Sequence, residues 1–350
     1  MEETTLERAQ GGDGDAFQEL VEAHRRELLV HCYRILGSLQ DAEDVLQEAL
    51  LSAWRGIDRF DGRSLRAWLY RIATNRCLNF LRDGNRRPES VLLREPALAK
   101  EVLVGSDEPW WLEPYPDVLI DDVAKGPEAR YEVRESIALS FVAGLQHLPA
   151  QQRAVLVLRD VLGFPAAEVA EILGTTPTAV NSALVRAREG FRPDRGAERI
   201  PLPRSTRETE VVRRFVEAFE RGDIEQLIAL LTEDAKVSMP PEPVECHGPR
   251  AIAEFLQGRG VLGNGLRLVP TRANNQPAFG YYLPDPNASI LRASGLLVLG
   301  LCDDQVSAIT RFGDKGVLAR CGLPRTLAWE RDDRPRGPSS SKTRDGKGDH

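Results

Sequence analysis

The side chains best suited to chemistry in this chain of 350 residues lie in "FPAAEVAEILGTTPTAVNSALVRAREGF", Phe164 to Phe191. The pattern predicts a short helix over Ala166 to Leu173, a turn at Gly174, and a second helix that starts at Thr176-Pro177 and runs to about Phe191. Thr176 is an N-cap type, and Pro177 suits the first helical position, where a missing N–H costs no bond. Ala170, Gly174 and Val180 meet the helix-turn-helix requirement of a small residue at the crossing, a glycine in the turn and an apolar anchor. With Val180, Ala183, Leu184 and Ala187 inward, Thr178, Asn181, Ser182, Val185, Arg186 and Arg188 are left outward or flanking. Asparagine pairs bidentately with adenine in the major groove, serine and threonine contact bases or phosphates, and arginine binds guanine or phosphate. A helical hairpin with a solvated basic face is the alternative; the agreement of turn, cap and charge favours DNA.

A second candidate is "DAEDVLQEALLSAW", Asp41 to Trp54. At 100° per residue Ala42, Val45, Leu46, Ala49 and Ala53 share one stripe, as a core-facing helix requires. Opposite lie Asp41, Asp44, Gln47 and Glu48, with Leu51 in the middle of the acidic face. An acidic face with an embedded leucine suits a basic protein partner, but one stray leucine on a solvated helix is also common, and the residues alone leave both readings open. Just beyond, the charge reverses. Met1 to Trp54 holds twelve acidic and four basic residues, whereas Arg55 to Arg87 holds nine arginines against three aspartates. The net charge of −7 hides this segregation, which suits two different partners, one of them a polyanion. A solvated charged surface is the plainer reading of either run alone.

Catalytic and metal-binding signals are weaker. Asp234, Glu245, His247 and Tyr281 are the polar candidates in the C-terminal third, yet a lone aspartate after a helix is commonly a cap or turn residue and a lone histidine is commonly structural. The five histidines are dispersed, His24, His31 and Cys32 could share a helix face only by chance, and neither a metal site nor a cofactor is expected. Five scattered cysteines without a C-x-x-C pair read as reduced core thiols. The chain has no apolar run of the roughly 18 residues a membrane span needs, and its acidic start lacks the marks of a signal peptide, so a cytoplasmic protein without membrane contact is expected.

These residues need elements to position them. Helical periodicity from Ala16 to about Leu81, broken at "GSLQD" and "DRFDGRS", predicts a bundle of about four helices within residues 1–87. Residues 88–130, with six prolines from Pro88 to Pro127, read as an acidic linker whose Trp110, Trp111, Leu112 and Tyr115 are apolar enough for part of it to dock. Helices resume over 131–195. Beyond "RPDRGAERIPLPRSTRE" a helical pair precedes short strand-like runs, so 206–325 reads as a separate α+β domain, and 330–350 as a disordered tail.

Taken together, the segments resemble a sigma-70-type factor of the extracytoplasmic-function class. "AFQELVEAHRRELLVHCYRILGSLQDAEDVLQEALLSAWRGIDRF" with "SLRAWLYRIATNRCLNFLR" matches region 2, and "LQHLPAQQRAVLVLRDVLGFPAAEVAEILGTTPTAVNSALVRARE" matches region 4. "FVEAFERGDIEQLIALLTEDAKVSMPP" and "HGPRAIAEFL" resemble a SnoaL-like domain, an extension carried by a sigma-G-like actinobacterial subgroup. The implied fold is multidomain: two all-α domains and a C-terminal α+β cone-shaped barrel.

The resemblance also implies roles. The Asp41–Trp54 helix would bind the β′ clamp helices of core RNA polymerase, whose β subunit is a further partner, through Asp41, Asp44, Gln47, Glu48 and Leu51. Phe60 and Asn75 would line a pocket for a flipped base of the minus-10 element, with Arg63, Arg66, Arg71 and Arg76 on the backbone, while Trp68, Leu69 and Ile72 read as core. Thr178, Asn181, Ser182, Val185, Arg186 and Arg188 would face the minus-35 element of promoter DNA. Common relatives carry lysine and arginine where this chain has Asn181 and Ala183, so fewer contacts and a different sequence preference are expected there. The implied function is promoter-specific initiation by a chain that is monomeric when free and not an enzyme. The SnoaL-like domain would be regulatory, with room for a small ligand in its pocket. A free-standing helix-turn-helix regulator and a cyclase or isomerase are the alternatives.

Overall fold

The computed structural model describes residues 2–84, 112–120, 136–191, 201–260 and 262–329. Arg86, Arg87, Trp110, Trp111, most of the expected linker and the 330–350 tail lie outside the described residues.

The first helical group contains α1 (Glu2–Gln10), α2 (Gly14–Leu36), α3 (Leu39–Gly56), a 3-10 turn at Ile57–Arg59, and α4 (Leu65–Asp83). The apolar period from Ala16 onward does not reveal α1. Helix α2 starts at Asp13, whose carboxylate accepts from the N–H groups of Asp15 and Ala16, and stops at Gly37 in the left-handed region. Ser38 then caps α3 through the Asp41 N–H, which makes the "GSLQD" break a stop and a start in adjacent residues. The buried stripe of α3 is Leu39, Ala42, Val45, Leu46, Ala49 and Ala53.

The second group contains α5 (Leu139–Gln146), α6 (Ala150–Leu156), a π-helical turn at Val157–Val161, α7 (Ala166–Leu173) and α8 (Pro177–Gly190). Between α7 and α8 the backbone turns at Gly174 with φ of 64°, a conformation glycine enters without a Cβ penalty. Thr176 caps α8 by accepting from the Ala179 N–H at 3.2 Å, with Pro177 next in the chain. Val180, Leu184 and Ala187 are the buried residues of α8.

The C-terminal part contains α9 (Thr206–Arg221), α10 (Ile224–Leu230), α11 (Pro249–Gly258), α12 (Gly316–Arg320) and seven strands: β1 (Leu231–Met239), β2 (Glu242–His247), β3 (Arg267–Ala273), β4 (Gln276–Pro284), β5 (Ile290–Cys302), β6 (Gln305–Phe312) and β7 (Thr326–Ala328). The sheet order is β2-β1-β6-β5-β4-β3, with β7 on β5; only β1 and β6 run parallel. The α+β expectation holds, with one correction: the sheet is open rather than a closed barrel, since β2 and β3 stand at its two ends. Phe279, Tyr281, Leu297 and Ile309 pack with Phe215, Phe219 and Leu227 in a core of the domain's own. Tyr282, Leu296, Val298 and Phe312 alternate with these and join a second core, shared with both helical groups.

That sharing is organised at the β3–β4 hairpin tip. Ala273 pairs with Gln276, so Asn274 and Asn275 form a two-residue loop, and their φ values of 56° and 59° are those of a type I′ turn, which favours asparagine. Fully buried Asn274 accepts from the Tyr115 N–H at 2.8 Å and donates to the Tyr33 hydroxyl and the Ile137 carbonyl, both at 2.8 Å. Its own N–H donates to the Tyr115 carbonyl at 2.8 Å, and Pro116 pairs with Ala273, so the linker covers the exposed edge of β3. One residue along, Asp117 accepts from the Asn275 N–H at 2.8 Å and from Arg272 at 3.2 Å; Arg272 also donates to Glu208 of α9 at 2.6 Å. Gln276 then accepts from the Leu139 N–H at 3.0 Å, supplying α5 with the cap that its own N-terminus lacks. A single turn thereby touches α2, the linker, the segment before α5 and α5 itself.

Candidate nucleic-acid interface

The expected polymerase-facing residues of α3 stand together at the surface. Asp44, Gln47, Glu48 and Leu51 are exposed, Leu51 by 50%, and Asp41 is half-buried. To one side, Glu43 pairs at 3.0 Å with Arg320 of α12, which brings the C-terminal domain to the margin of this face without covering it.

The residues expected at the minus-10 element divide into two sets. Arg63, Arg71 and Arg76 are exposed, with Arg63 beside Asp61 at 3.3 Å and Arg76 donating to Ser52 of α3 at 2.7 Å. Phe60, Arg66 and Asn75 are engaged inside the protein. Phe60 is only 8% exposed, its ring 4.9 Å from that of Trp68. Arg66 lies 3.4 Å from Glu27 and places its guanidinium over the rings of Tyr70 at 5.0 Å and Phe164 at 4.8 Å. Asn75 donates to the Ile172 carbonyl at 3.1 Å. Phe164 and Ile172 belong to the second helical group, so two of the three engaged residues are held across the contact between the groups. Glu27 is lowered below the usual carboxylate range: burial pushes the other way, but the His24 and Arg66 bonds outweigh it.

Residues expected at the minus-35 element are presented differently. Thr178, Asn181, Ser182, Val185, Arg186 and Arg188 are all exposed. Arg188 makes two bonds with Asp160, at 2.8 Å and 2.7 Å, in bidentate fashion.

The candidate polar groups of the C-terminal domain do not converge. Glu245 and His247 lie 3.4 Å apart on either side of Cys246, whose side chain joins the domain's own core, so both face away from that core. Asp234 is exposed. Tyr281 is buried within that core, and its hydroxyl has no hydrogen-bond partner; burial raises its pKa to about 12, with Arg311 pulling the other way. Among the described residues no group of three or more His, Cys, Asp or Glu is arranged to hold a metal ion.

Sequence reasoning missed the hairpin tip and its partners Tyr33, Asp117 and Arg272. The one available signal was "ANNQ", a turn pair between two strand-like runs.

An exposed helix-turn-helix and an arginine-bearing helix mark a DNA-binding protein, and a separate acidic face with Leu51 stands open beside them. Comparison with known families agrees: residues 20–87 match Sigma-70 region 2, 139–189 match Sigma-70 region 4, and 212–273 match the SnoaL-like domain. The ECF RNA polymerase sigma factor SigG of Mycobacterium tuberculosis is 43% identical over 317 residues, which cover 89% of this chain and 85% of that protein. SigW of Bacillus subtilis is 31% identical over 53% of this chain and 92% of its own length. The crystal structure of the extracytoplasmic-function sigma factor SigJ of Mycobacterium tuberculosis superposes with a TM-score of 0.60 at 23% identity, covering 88% of this chain and 99% of that one, and shares its fold. The chain belongs to the extracytoplasmic-function sigma-70 family and is a sigma factor of promoter-specific transcription initiation.

Proposed function

We propose that this sigma factor is held closed by its SnoaL-like domain and that initiation requires the two helical groups to part. The carrying observation is the bond from Asn75 to the Ile172 carbonyl, with Arg66 over Phe164 beside it. Minus-10 and minus-35 elements are by their numbering about 25 base pairs apart, about 85 Å along duplex DNA at roughly 34 Å per turn. Helices packed side by side have axes about 8–10 Å apart, so α4 resting on α7 holds the two DNA-facing surfaces far too close to reach both elements. The hairpin tip bonds to α2, the linker and the start of α5 at once, which supports a restraining role for the domain.

In this reading Asp41, Asp44, Gln47, Glu48 and Leu51 bind the clamp helices of polymerase, and the β subunit contacts the chain elsewhere. Phe60, Arg63, Arg66, Arg71, Asn75 and Arg76 hold the minus-10 strand once α7 withdraws. Thr178, Asn181, Ser182, Val185, Arg186 and Arg188 meet the minus-35 duplex. The dispersed polar groups of the SnoaL-like domain favour regulation over catalysis, with room for a small ligand left as part of that reading. The chain acts beside polymerase in the cytoplasm and is monomeric when free in this reading; no helix among the described residues is long and apolar enough to cross a membrane.

Run-off transcription with core polymerase tests the reading. The full-length chain should initiate from its promoter, and Gln47→Ala/Glu48→Ala/Leu51→Ala should abolish initiation without weakening duplex binding. Undiminished initiation by that variant overturns the assignment of α3, and absence of initiation with or without the C-terminal domain would leave the free-standing regulator as the better account.

A further inference from the structure

We propose that Val185 reads the 5-methyl group of a thymine in the minus-35 element, beside an adenine paired by Asn181, so that this chain selects an A·T-containing step where an arginine would select guanine. The inference rests on α8 being the minus-35 helix and deepens that reading.

Thr178, Asn181, Ser182 and Val185 recur at the helical spacing of three, four and seven residues and form one solvent-facing stripe opposite the buried Val180, Leu184 and Ala187. Three members are polar. The fourth is a valine exposed by 54% of its surface, one of four large apolar side chains so exposed among the described residues. Of these Leu51 belongs to the set proposed to face polymerase and Val118 and Leu202 lie in connecting segments, so Val185 is the one on α8, and nothing among the described residues covers it. Leaving an aliphatic group in water has a cost that a DNA contact recovers, and thymine alone presents a methyl group in the major groove.

The arginines sharpen the assignment. A guanidinium fork is the group that reads guanine O6 and N7. Arg188 has its fork occupied by both oxygens of Asp160, and Arg186 projects from the opposite flank of the stripe. The stripe itself therefore carries an amide, two hydroxyls and an isopropyl group. Side chains four apart on a helix lie roughly 5–6 Å from each other, which matches neighbouring or next-neighbouring base pairs at about 3.4 Å per step. Asn181 and Val185 thus reach adjacent positions, the first suited to adenine and the second to thymine.

Deoxyuridine differs from thymidine by this methyl group alone, so replacing thymines one at a time isolates the contact. The probe is a duplex recovered by repeated selection from random sequence with the full-length chain, read by fluorescence anisotropy with the chain alone and bound to core polymerase. Uracil at one position should weaken binding about fourfold, the equivalent of roughly 0.8 kcal/mol per buried methyl-sized group at 1.4 kcal/mol per tenfold. Val185→Ala, an exposed change to a better helix former, should weaken binding similarly and make thymine and uracil indistinguishable at that position. Equal affinity for every uracil-substituted duplex overturns the proposal while leaving α8 as the reading helix, and points to a protein partner on the stripe. Failure to select any duplex would instead overturn the assignment of α8 itself.

Discussion

The two surfaces proposed to meet the promoter differ in how far the protein itself engages them. On α8 every expected contact residue is exposed, whereas on α4 and its approach Phe60, Arg66 and Asn75 are already bonded or stacked within the protein. The difference follows from what each surface must bind. A duplex-reading helix inserts as a preformed unit, so nothing is gained by covering it. A surface that holds unstacked bases offers aromatic and amide groups which another part of the chain can also satisfy. On the proposed reading, closure would block strand capture and leave duplex reading available, and polymerase docking too, since Leu51 on the face of α3 is exposed. A chain in this state could find core polymerase and the minus-35 element before it is competent to hold a melted strand.

Releasing the hairpin tip should break the contrast most strongly. Asn274→Ala leaves the Tyr115 N–H and the Ile137 carbonyl each short of a buried partner, while the Tyr33 hydroxyl keeps its bond to the Glu113 carbonyl. At about 1 kcal/mol for each, the closed arrangement should lose about 2 kcal/mol, on the order of thirtyfold in the open-to-closed ratio. Affinity for a single-stranded minus-10 oligonucleotide should rise, while affinity for minus-35 duplex stays where it was. Amide hydrogen exchange should quicken in α7 at the same time. Unchanged single-strand affinity in this variant would mean that the contact between α4 and α7 does not occlude the site.

How much of this contrast could be read beforehand depends on whether a residue's partners are close in sequence. The inward stripe of α3 and the Gly174-Thr176-Pro177 turn were legible because the helical period and capping chemistry act over a few residues. The strands of the C-terminal domain were legible from their apolar runs, apart from β2 and β7, which are short and carry little pattern. The open sheet was not, because closure depends on strand pairings that no local pattern encodes. Asn75 looked like a base-pocket residue and in this state bonds to a carbonyl 97 positions away. Asn274 drew no reading of its own from the sequence and is a four-way hydrogen-bonded junction, reaching Tyr33 across 241 positions. A turn signal fixes the backbone of a hairpin tip; it says nothing of what the tip touches.

Acid sharpens the comparison by acting on the packing of α2 against α4, behind the covered surface. His31 of α2 is fully buried, its Nε2 2.8 Å from the Thr74 hydroxyl of α4, its Nδ1 without a partner, and its ring edge-on to Tyr70. Burial, aided by Arg34 and Arg66, lowers its pKa from 6.5 to about 3. The unfolded chain therefore binds a proton near pH 6.5 that the folded chain refuses until about pH 3, so stability is complete above 6.5 and falls as pH drops through that window. The slope approaches about 1.4 kcal/mol per pH unit. Glu27, lowered below its ordinary value of 4.5, adds its own loss only from about that pH downward, which leaves pH 5.5 as a test of His31. Urea midpoints should fall between pH 7.5 and 5.5 in the natural chain, and His31→Gln should remove most of that fall. An equal fall in the variant would assign the acid sensitivity elsewhere.

The smallest effect belongs to the exposed surface. Arg188 and Asp160 form a bidentate pair, but the arginine side chain is 59% exposed and the aspartate 33%, so solvent screens the attraction. Such pairs contribute about 0–1 kcal/mol, and Asp160→Asn should shift the urea midpoint hardly at all. Its consequence for DNA runs in a defined direction. Freed from the aspartate, the Arg188 fork gains access to a phosphate or a guanine at the margin of α8, so duplex affinity should rise at low salt and the salt slope should steepen by about one phosphate contact. An unchanged slope with unchanged affinity would show that the pair with Asp160 does not control whether Arg188 meets DNA. Measuring the slope at several salt concentrations separates these cases, because an added phosphate contact changes the slope while a gain in helix stability changes only the intercept.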